Sequence, residues 1–303
     1  MVKPKVFITR RWPKEAEERL KKIFDVTLNQ DDKVLSNNEI AEGFYNHDAL
    51  ACTVSDTIDE NIIKSGKTGK GKIIANFGVG FNHIDLNACK KYKIVVTNTP
   101  DILTDATADL TILLMLMVSR RSKEGEYEIE NNKWAGWRPT HLLGSELSHK
   151  TLGIIGFGRI GQAVAKRAYF GFNMKIIFFD PYFDNAEVIK KFGATKLSSI
   201  DEVLSQADFV SLHCPSTKET KGLINKETIS KMKNSAYLIN TARGDIVNES
   251  ELVEALKEER IMGAGLDVYE KEPSVEKDLI SLKNVFLLPH LGSATNETRE
   301  AMG

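Results

Sequence analysis

Three residues suited to chemistry stand just past apolar runs in the last third of the chain. Arg243 follows Ala236-Tyr237-Leu238-Ile239-Asn240. Glu272 follows Gly265-Leu266-Asp267-Val268-Tyr269, and His290 follows Val285-Phe286-Leu287-Leu288. Each run reads as a buried strand, and in an open parallel sheet the carboxyl ends of the strands border the ligand crevice. Arginine is a permanent forked cation whose geometry matches a carboxylate. Histidine gives and takes a proton near neutral pH. A glutamate beside it favours the charged imidazole and fixes the ring's orientation. Taken singly, each of the three is more often a satisfied surface residue than a catalytic one.

A second signal is Gly156-Phe157-Gly158-Arg159-Ile160-Gly161. A lone run of this spacing is weak. Here the strand-like Leu152–Ile155 leads in and Gln162-Ala163-Val164-Ala165-Lys166 continues as a helix, the context of a dinucleotide fingerprint. Gly156 permits the tight turn, Gly158 lets backbone approach a pyrophosphate, and Gly161 lets helix and strand pack closely. The helix start supplies amides and positive dipole. The next strand, Lys175–Phe179, ends in Asp180. A carboxylate there binds ribose hydroxyls and repels a 2'-phosphate, and Pro181-Tyr182 offers no cation to receive one. NAD is therefore the expected cofactor, with NADH preferred over NADPH.

The elements that must position these groups follow from alternating periodicity. Val6–Thr9, Ala49–Val54, Lys72–Phe77 and Ile94–Thr97 read as buried strands separated by helical patterns, which implies parallel beta-alpha-beta units. Thr104 to about Glu130 reads as one long helix, followed by a loop rich in Trp, Gly and Pro from Trp134 to Pro139. A second series has strands at Leu152–Ile155, Lys175–Phe179, Phe209–His213, Ala236–Asn240, Gly263–Val268 and Val285–Leu288. The expected fold class is α/β, with two doubly wound parallel-sheet domains. The first, 1–98 completed by 291–303, is a flavodoxin-like substrate domain; the second, 99–290, is a Rossmann NAD-binding domain.

Composition bounds the function. The 303 residues carry 41 basic against 42 acidic side chains, a balance with no general attraction to nucleic acid or to an anionic membrane. No apolar run approaches the length of a membrane span. Nothing at Met1-Val2-Lys3-Pro4 reads as a leader. Cys52, Cys89 and Cys214 are scattered and odd in number, which fits a reducing, cytoplasmic location and buried thiols. No Cys/His cluster has metal-ligand spacing, so no metal is expected. His47, His83, His141 and His149 read as ordinary surface or loop histidines. Lys14 to Lys22 and Glu251 to Arg260 read as solvated helix faces.

The ordered motifs Asn76 to Leu86, Gly156 to Gly161, Asn240 to Asp245, Gly265 to Pro273 and Pro289 to Thr295 resemble the D-isomer-specific 2-hydroxyacid dehydrogenase family over essentially the whole chain. The resemblance implies hydride transfer between the cofactor and a small 2-keto or 2-hydroxy acid. Its catalytic arginine, glutamate and histidine fall on Arg243, Glu272 and His290. Spacing and the following Pro273 select Glu272 over Glu270, and a glutamate there argues against the formate dehydrogenase branch. Arg243 and His290 would contact substrate, with the Val79 and Gly80 amides binding its carboxylate in a cleft between the domains. Further implied cofactor contacts are Thr107, Arg159, Ile160, His213, Pro215, Thr220, Thr241, Ala242, Asp267 and Gly292.

Within the family, Asn98 to Ala108 and Trp134 to Leu143 look most like glyoxylate and hydroxypyruvate reductases. That resemblance implies a homodimer in which the partner subunit's Trp137 reaches the substrate pocket; a pair of tryptophans closing an ordinary interface is the plainer alternative. Many of that subgroup use NADPH, against which Asp180 stands. Phosphoglycerate dehydrogenase is another reading, although no appended regulatory domain is present. So is an NAD-binding corepressor of the same fold that works by binding peptides. Family members also continue into a further helix beyond the position of Gly303.

Overall fold

The computed structural model describes residues 2–303. The chain forms two compact units, Met1–Leu103 with Ser293–Gly303, and Thr104–Gly292. The boundaries fall a few residues beyond Asn98 and His290 for local reasons. The Asn98 side-chain amide donates to the Val79 carbonyl and the Thr99 amide to the Gly78 carbonyl, holding that segment to the first unit. Leu291 and Gly292 stay with the second unit because the Asp267 carboxylate accepts both of their amides.

The first unit contains strands β1 (Lys5–Ile8), β2 (Asp25–Leu28), β3 (Ala49–Thr53), β4 (Ile73–Phe77) and β5 (Val95–Thr97). They form one parallel sheet in the order β2-β1-β3-β4-β5, the flavodoxin-like arrangement. Its core joins Ile40, Phe44, Leu50, Ile62, Ile63 and Ile74, drawn from central strands and two helices. Strand β2 was not legible in the sequence. It lies at the sheet edge with alternating exposed and half-buried residues, so it lacks the apolar run that marks a buried parallel strand. Helix Lys14–Ile23 is not wholly solvated: Glu17 is buried and accepts from both the guanidinium of Arg11 and the Trp12 amide.

The second unit contains β6 (Thr151–Ile155), β7 (Lys175–Phe179), β8 (Thr195–Lys196), β9 (Phe209–Leu212), β10 (Tyr237–Asn240), β11 (Gly263–Leu266) and β12 (Val285–Leu287). All pairings are parallel, in the order β12-β11-β10-β9-β6-β7-β8. This is the Rossmann order with one added strand, and the chain reverses its direction of travel between β6 and β9. Strands β9, β10 and β11 are buried at every position, as expected where helices cover both faces.

The single long helix expected from Thr104 to about Glu130 is two helices, Thr104–Ser119 and Ser122–Glu130. Arg121 breaks it with φ +56°, left-handed backbone. The break is set from outside. The Ser145 amide donates to the Ser119 carbonyl, and Gly144 packs against that same carbonyl. The Arg121 guanidinium then grips Glu124.

Candidate active site

The glycine turn sits at the switch point of the second sheet. Gly156 has φ +92°, and a side chain there would meet the His213–Cys214 backbone at the end of β9. Gly161 lies against the Gly156 carbonyl, which keeps the helix tight on the strand. Phe157 turns inward, fully buried and stacked on Phe178 with centroids 4.0 Å apart, so it anchors the turn to the core. Gly158 differs from its neighbours: a Cβ there would meet nothing within 4 Å. The chain's own packing gives no reason for that glycine, whereas close approach of a ligand does.

Helix Arg159–Phe172 starts at Gly158 with no side-chain cap. The helices beginning after Ser36, Asp59, Asp85 and Asn248 are all capped. With no side chain capping it, this helix start can face an anion with its backbone amides and positive dipole. Asp180, just past β7, accepts from the Phe157 amide at 2.7 Å and from the Tyr182 amide at 2.9 Å. It thus ties the glycine turn to the second strand, a bond the sequence did not disclose. These features fit a dinucleotide.

The other expected cofactor residues gather at the carboxyl edge of the same sheet. His213 and Pro215 follow β9, with Thr220 donating to the Pro215 carbonyl. Thr241 and Ala242 follow β10, Asp267 follows β11 and Gly292 follows β12. Thr107 comes from helix Thr104–Ser119 and donates to the Gly292 carbonyl at 3.1 Å. Thr107, Thr241 and Asp267 are nearly closed from solvent, and their side chains bond Gly292, Thr111 and the 291–292 amides. Burial pushes His213 down to about 3, so the ring is neutral at physiological pH, paired with Ser211.

The acid–base pair is formed. His290 Nδ1–H donates to Glu272 Oε2 at 2.8 Å, a tautomer set by the carboxylate's being an acceptor only. Glu272 Oε1 accepts the Tyr269 amide at 3.0 Å. His290 Nε2 is taken by no other described residue. His290 has φ +55°, and its amide donates to the Asp267 carbonyl, so the sheet holds the ring's backbone on both sides. Burial pushes the Glu272 carboxylate up, but the His290 bond and charge, the Tyr269 amide and Arg243 outweigh it, and the net effect holds it below its usual range. Burial pushes Asp267 up to about 6 against the Leu291 amide and the charge of His290.

Arg243 is brought to this pair by close packing. Gly244 lies so near the Tyr269–Glu270 backbone that no side chain fits between them. Asn240 accepts the Ala242 amide and donates to the Arg243 carbonyl, closing the turn after β10. Burial lowers the guanidinium's pKa against the charges of Glu272 and Asp245, and an arginine so placed stays cationic.

In the first unit, Asn76 Nδ2 donates to the carbonyls of Gly78 and Gly80, and Asn98 to that of Val79. The loop's carbonyls are thus held, while the Val79 and Gly80 amides have no acceptor among the described residues. His83 is more than a loop histidine, since its Nε2 meets Asn76 Oδ1 at 3.0 Å. Neither role was visible in residue type alone. On the second unit, Trp134 and Trp137 are exposed, Trp137 to 82%, and so are Tyr127, Ile129 and Leu143. Among the described residues no group could hold a metal, and no helix is long and apolar enough to cross a membrane.

A Rossmann sheet with an open glycine entry and a histidine–carboxylate pair at its strand ends defines an NAD(P)-dependent oxidoreductase. Residues 112–292 match the D-isomer specific 2-hydroxyacid dehydrogenase, NAD binding domain. A glyoxylate reductase of Thermococcus litoralis is 45% identical over 305 residues, covering 99% of this chain and 91% of the relative. A D-isomer specific 2-hydroxyacid dehydrogenase structure from Polaromonas sp. JS6 66 superposes with TM-score 0.93 at 37% identity, over 100% and 93% of the two chains. An NADPH-dependent glyoxylate/hydroxypyruvate reductase from Sinorhizobium meliloti, in complex with NADP and malonate, gives TM-score 0.87 at 30% identity, over 99% and 90%. The chain belongs to the D-isomer-specific 2-hydroxyacid dehydrogenase family.

Proposed function

We propose that this protein is a glyoxylate/hydroxypyruvate reductase that uses NADH. The observation that carries the reading is the His290–Glu272 pair beside Arg243, with His290 Nε2 unclaimed among the described residues. The nicotinamide cofactor, when bound, supplies the hydride that reaches the substrate's C2. Arg243 holds the 2-keto carboxylate and polarises the adjacent carbonyl. His290 gives its Nε2 proton to the oxygen as that oxygen becomes an alkoxide, and takes it back in the oxidative direction. Glu272 keeps the proton on the ring until then. The Val79 and Gly80 amides are further donors for the carboxylate.

The uncapped helix start and Gly158 support pyrophosphate binding, and Asp180 supports NADH over NADPH. Roles for Thr107, Arg159, Ile160, Gly161, His213, Pro215, Thr220, Thr241, Ala242, Asp267 and Gly292 around the cofactor belong to the same proposal. The exposed Trp134, Trp137, Tyr127, Ile129 and Leu143 support a homodimer in which the partner subunit's Trp137 reaches the substrate. The buried unpaired cysteines support a cytoplasmic location. The test is turnover with glyoxylate and hydroxypyruvate, each with NADH and NADPH. Reduction of neither acid overturns the reading, and a monomer by sedimentation at micromolar concentration overturns the dimer.

A further inference from the structure

Helix Glu249–Lys257 carries charges at Glu249, Glu251, Glu254 and Lys257, and the first of these is buried. Glu249 is only 7% exposed. Its Oε1 accepts the Glu270 amide at 2.6 Å. The peptide it grips is the one against which Gly244 packs. The preceding amide, that of Tyr269, ends on Glu272. Consecutive amides of the 269–272 loop therefore each meet a carboxylate. One belongs to the loop itself, and the other comes from the segment that carries Arg243.

Burying an acid here is costly. Burial pushes the Glu249 carboxyl up, and Glu270, Glu276 and Glu272 oppose its charge, against the favourable Glu270 amide. A solvated glutamate at a helix start would carry no such penalty. The cost is offset by a tie between two segments that must keep register if Arg243 and Glu272 are to serve one substrate.

We propose that Glu249 is a positioning residue that, through the Glu270 amide, sets the place of Glu272 and hence of His290 relative to Arg243, without touching substrate or cofactor. This rests on the roles given above to Arg243, Glu272 and His290. The tie is a hydrogen bond accepted by one oxygen. Glu249→Gln keeps that acceptor, Glu249→Ala deletes it, and Glu249→Asp keeps the charge but shortens the reach. Arg243 and Asp267 act on the histidine–glutamate pair, Glu270 and Glu276 act on Glu249, and Asp245 acts on Arg243; all are unchanged in these variants.

The experiment uses the full chain with two readouts. One is kcat and KM for a 2-keto acid with NADH. The other is the NMR resonance of the His290 Nδ1–H proton shared with Glu272, assigned by its disappearance in His290→Gln. Misplacement on the ångström scale costs up to about 10²-fold, so Glu249→Ala and Glu249→Asp should lose about 10-fold or more in kcat. In both, the Nδ1–H resonance should move or broaden away from the parent's. Glu249→Gln should stay within about 3-fold of the parent, with the resonance retained, because the bond survives. A folded Ala or Asp variant with parental kcat and resonance overturns the proposal, and so does a folded Gln variant as impaired as Ala. If the parent reduces no 2-keto acid, the functional reading falls, while the Nδ1–H resonance still decides the role of Glu249.

Discussion

Replacing Glu272 by Gln tests the acid–base pair most directly. The amide keeps the side chain's size and can still accept the Tyr269 amide, but it loses the charge facing His290 2.8 Å away. The net effect of its surroundings holds the Glu272 carboxyl low, so it remains ionised across the working range. A unit pair at about 4 Å is worth about 1 kcal/mol in water and about 4 kcal/mol at an effective permittivity near 20. The two side chains are 31% and 34% exposed. Solvent screening therefore leaves about 1–1.5 kcal/mol, which at about 1.4 kcal/mol per tenfold is about a factor of ten. The charged bond at Nδ1 orients the ring whose Nε2 serves the substrate oxygen, so Glu272→Gln should lower kcat/KM about tenfold. Steady-state kcat/KM in both directions measures this, and parental values in both would refute the role of the glutamate.

Gly244→Ala should lower kcat/KM by about 10²-fold or more, because a methyl group must push the Tyr269–Glu270 backbone away from Arg243, and urea unfolding should show about 1–3 kcal/mol lost. His213, held down to about 3 by burial, is neutral in the fold and binds a proton near 6.5 once unfolded. Its contribution is therefore present above about 6.5 and falls with acidification by up to about 1.4 kcal/mol per pH unit, so His213→Gln should flatten the loss of unfolding free energy between pH 7 and 5; equal slopes would disprove it. Asp180→Ala should narrow an NADH preference by about 10-fold, from a screened repulsion of about 1.4 kcal/mol. It should also raise KM for both cofactors, because the Phe157 amide loses its acceptor; an unchanged cofactor ratio would show that the carboxylate does not select.

Much of this architecture was legible because buried parallel strands leave an apolar signature. Phe209–Leu212 and Tyr237–Asn240 are buried at every position and stand out in the sequence. Strands β2 and β8 do not: Asp25–Leu28 alternates exposed and half-buried residues, and Thr195–Lys196 is only two residues long and exposed at both. The edge strands β5 and β12 were legible all the same, because Ile94-Val95-Val96 and Val285-Phe286-Leu287 are apolar runs. The helix break at Arg121 was hidden for a different reason. Nothing local demands it, since the contacts that impose it come from Gly144 and Ser145. The same division runs through the site. Arg243, Glu272 and His290 were visible by residue type after a strand, and the structure joins Glu272 to His290. The residues that hold them were not. Glu249 reads as one more charge in a charged helix until its burial is known. Asn76 and His83 gain meaning only from the carbonyls and side chain that they meet.

The hydrogen bond from Thr107 to Gly292 joins the two ends of the second unit at 3.1 Å. The first unit is discontinuous in sequence. Its last helix, Asn296–Met302, packs on helix Lys14–Ile23 across nearly the whole length of the chain. Were the intervening roughly 190 residues a flexible loop, closing them would cost about 4–5 kcal/mol in chain entropy. Because the folded second unit returns the chain to where it left, the first unit meets it as a short connection. Formation of the second unit should then be a precondition for seating the last helix. Lesions that loosen the Thr107–Gly292 closure should appear first as fraying of Asn296–Met302, far along the chain from the damage.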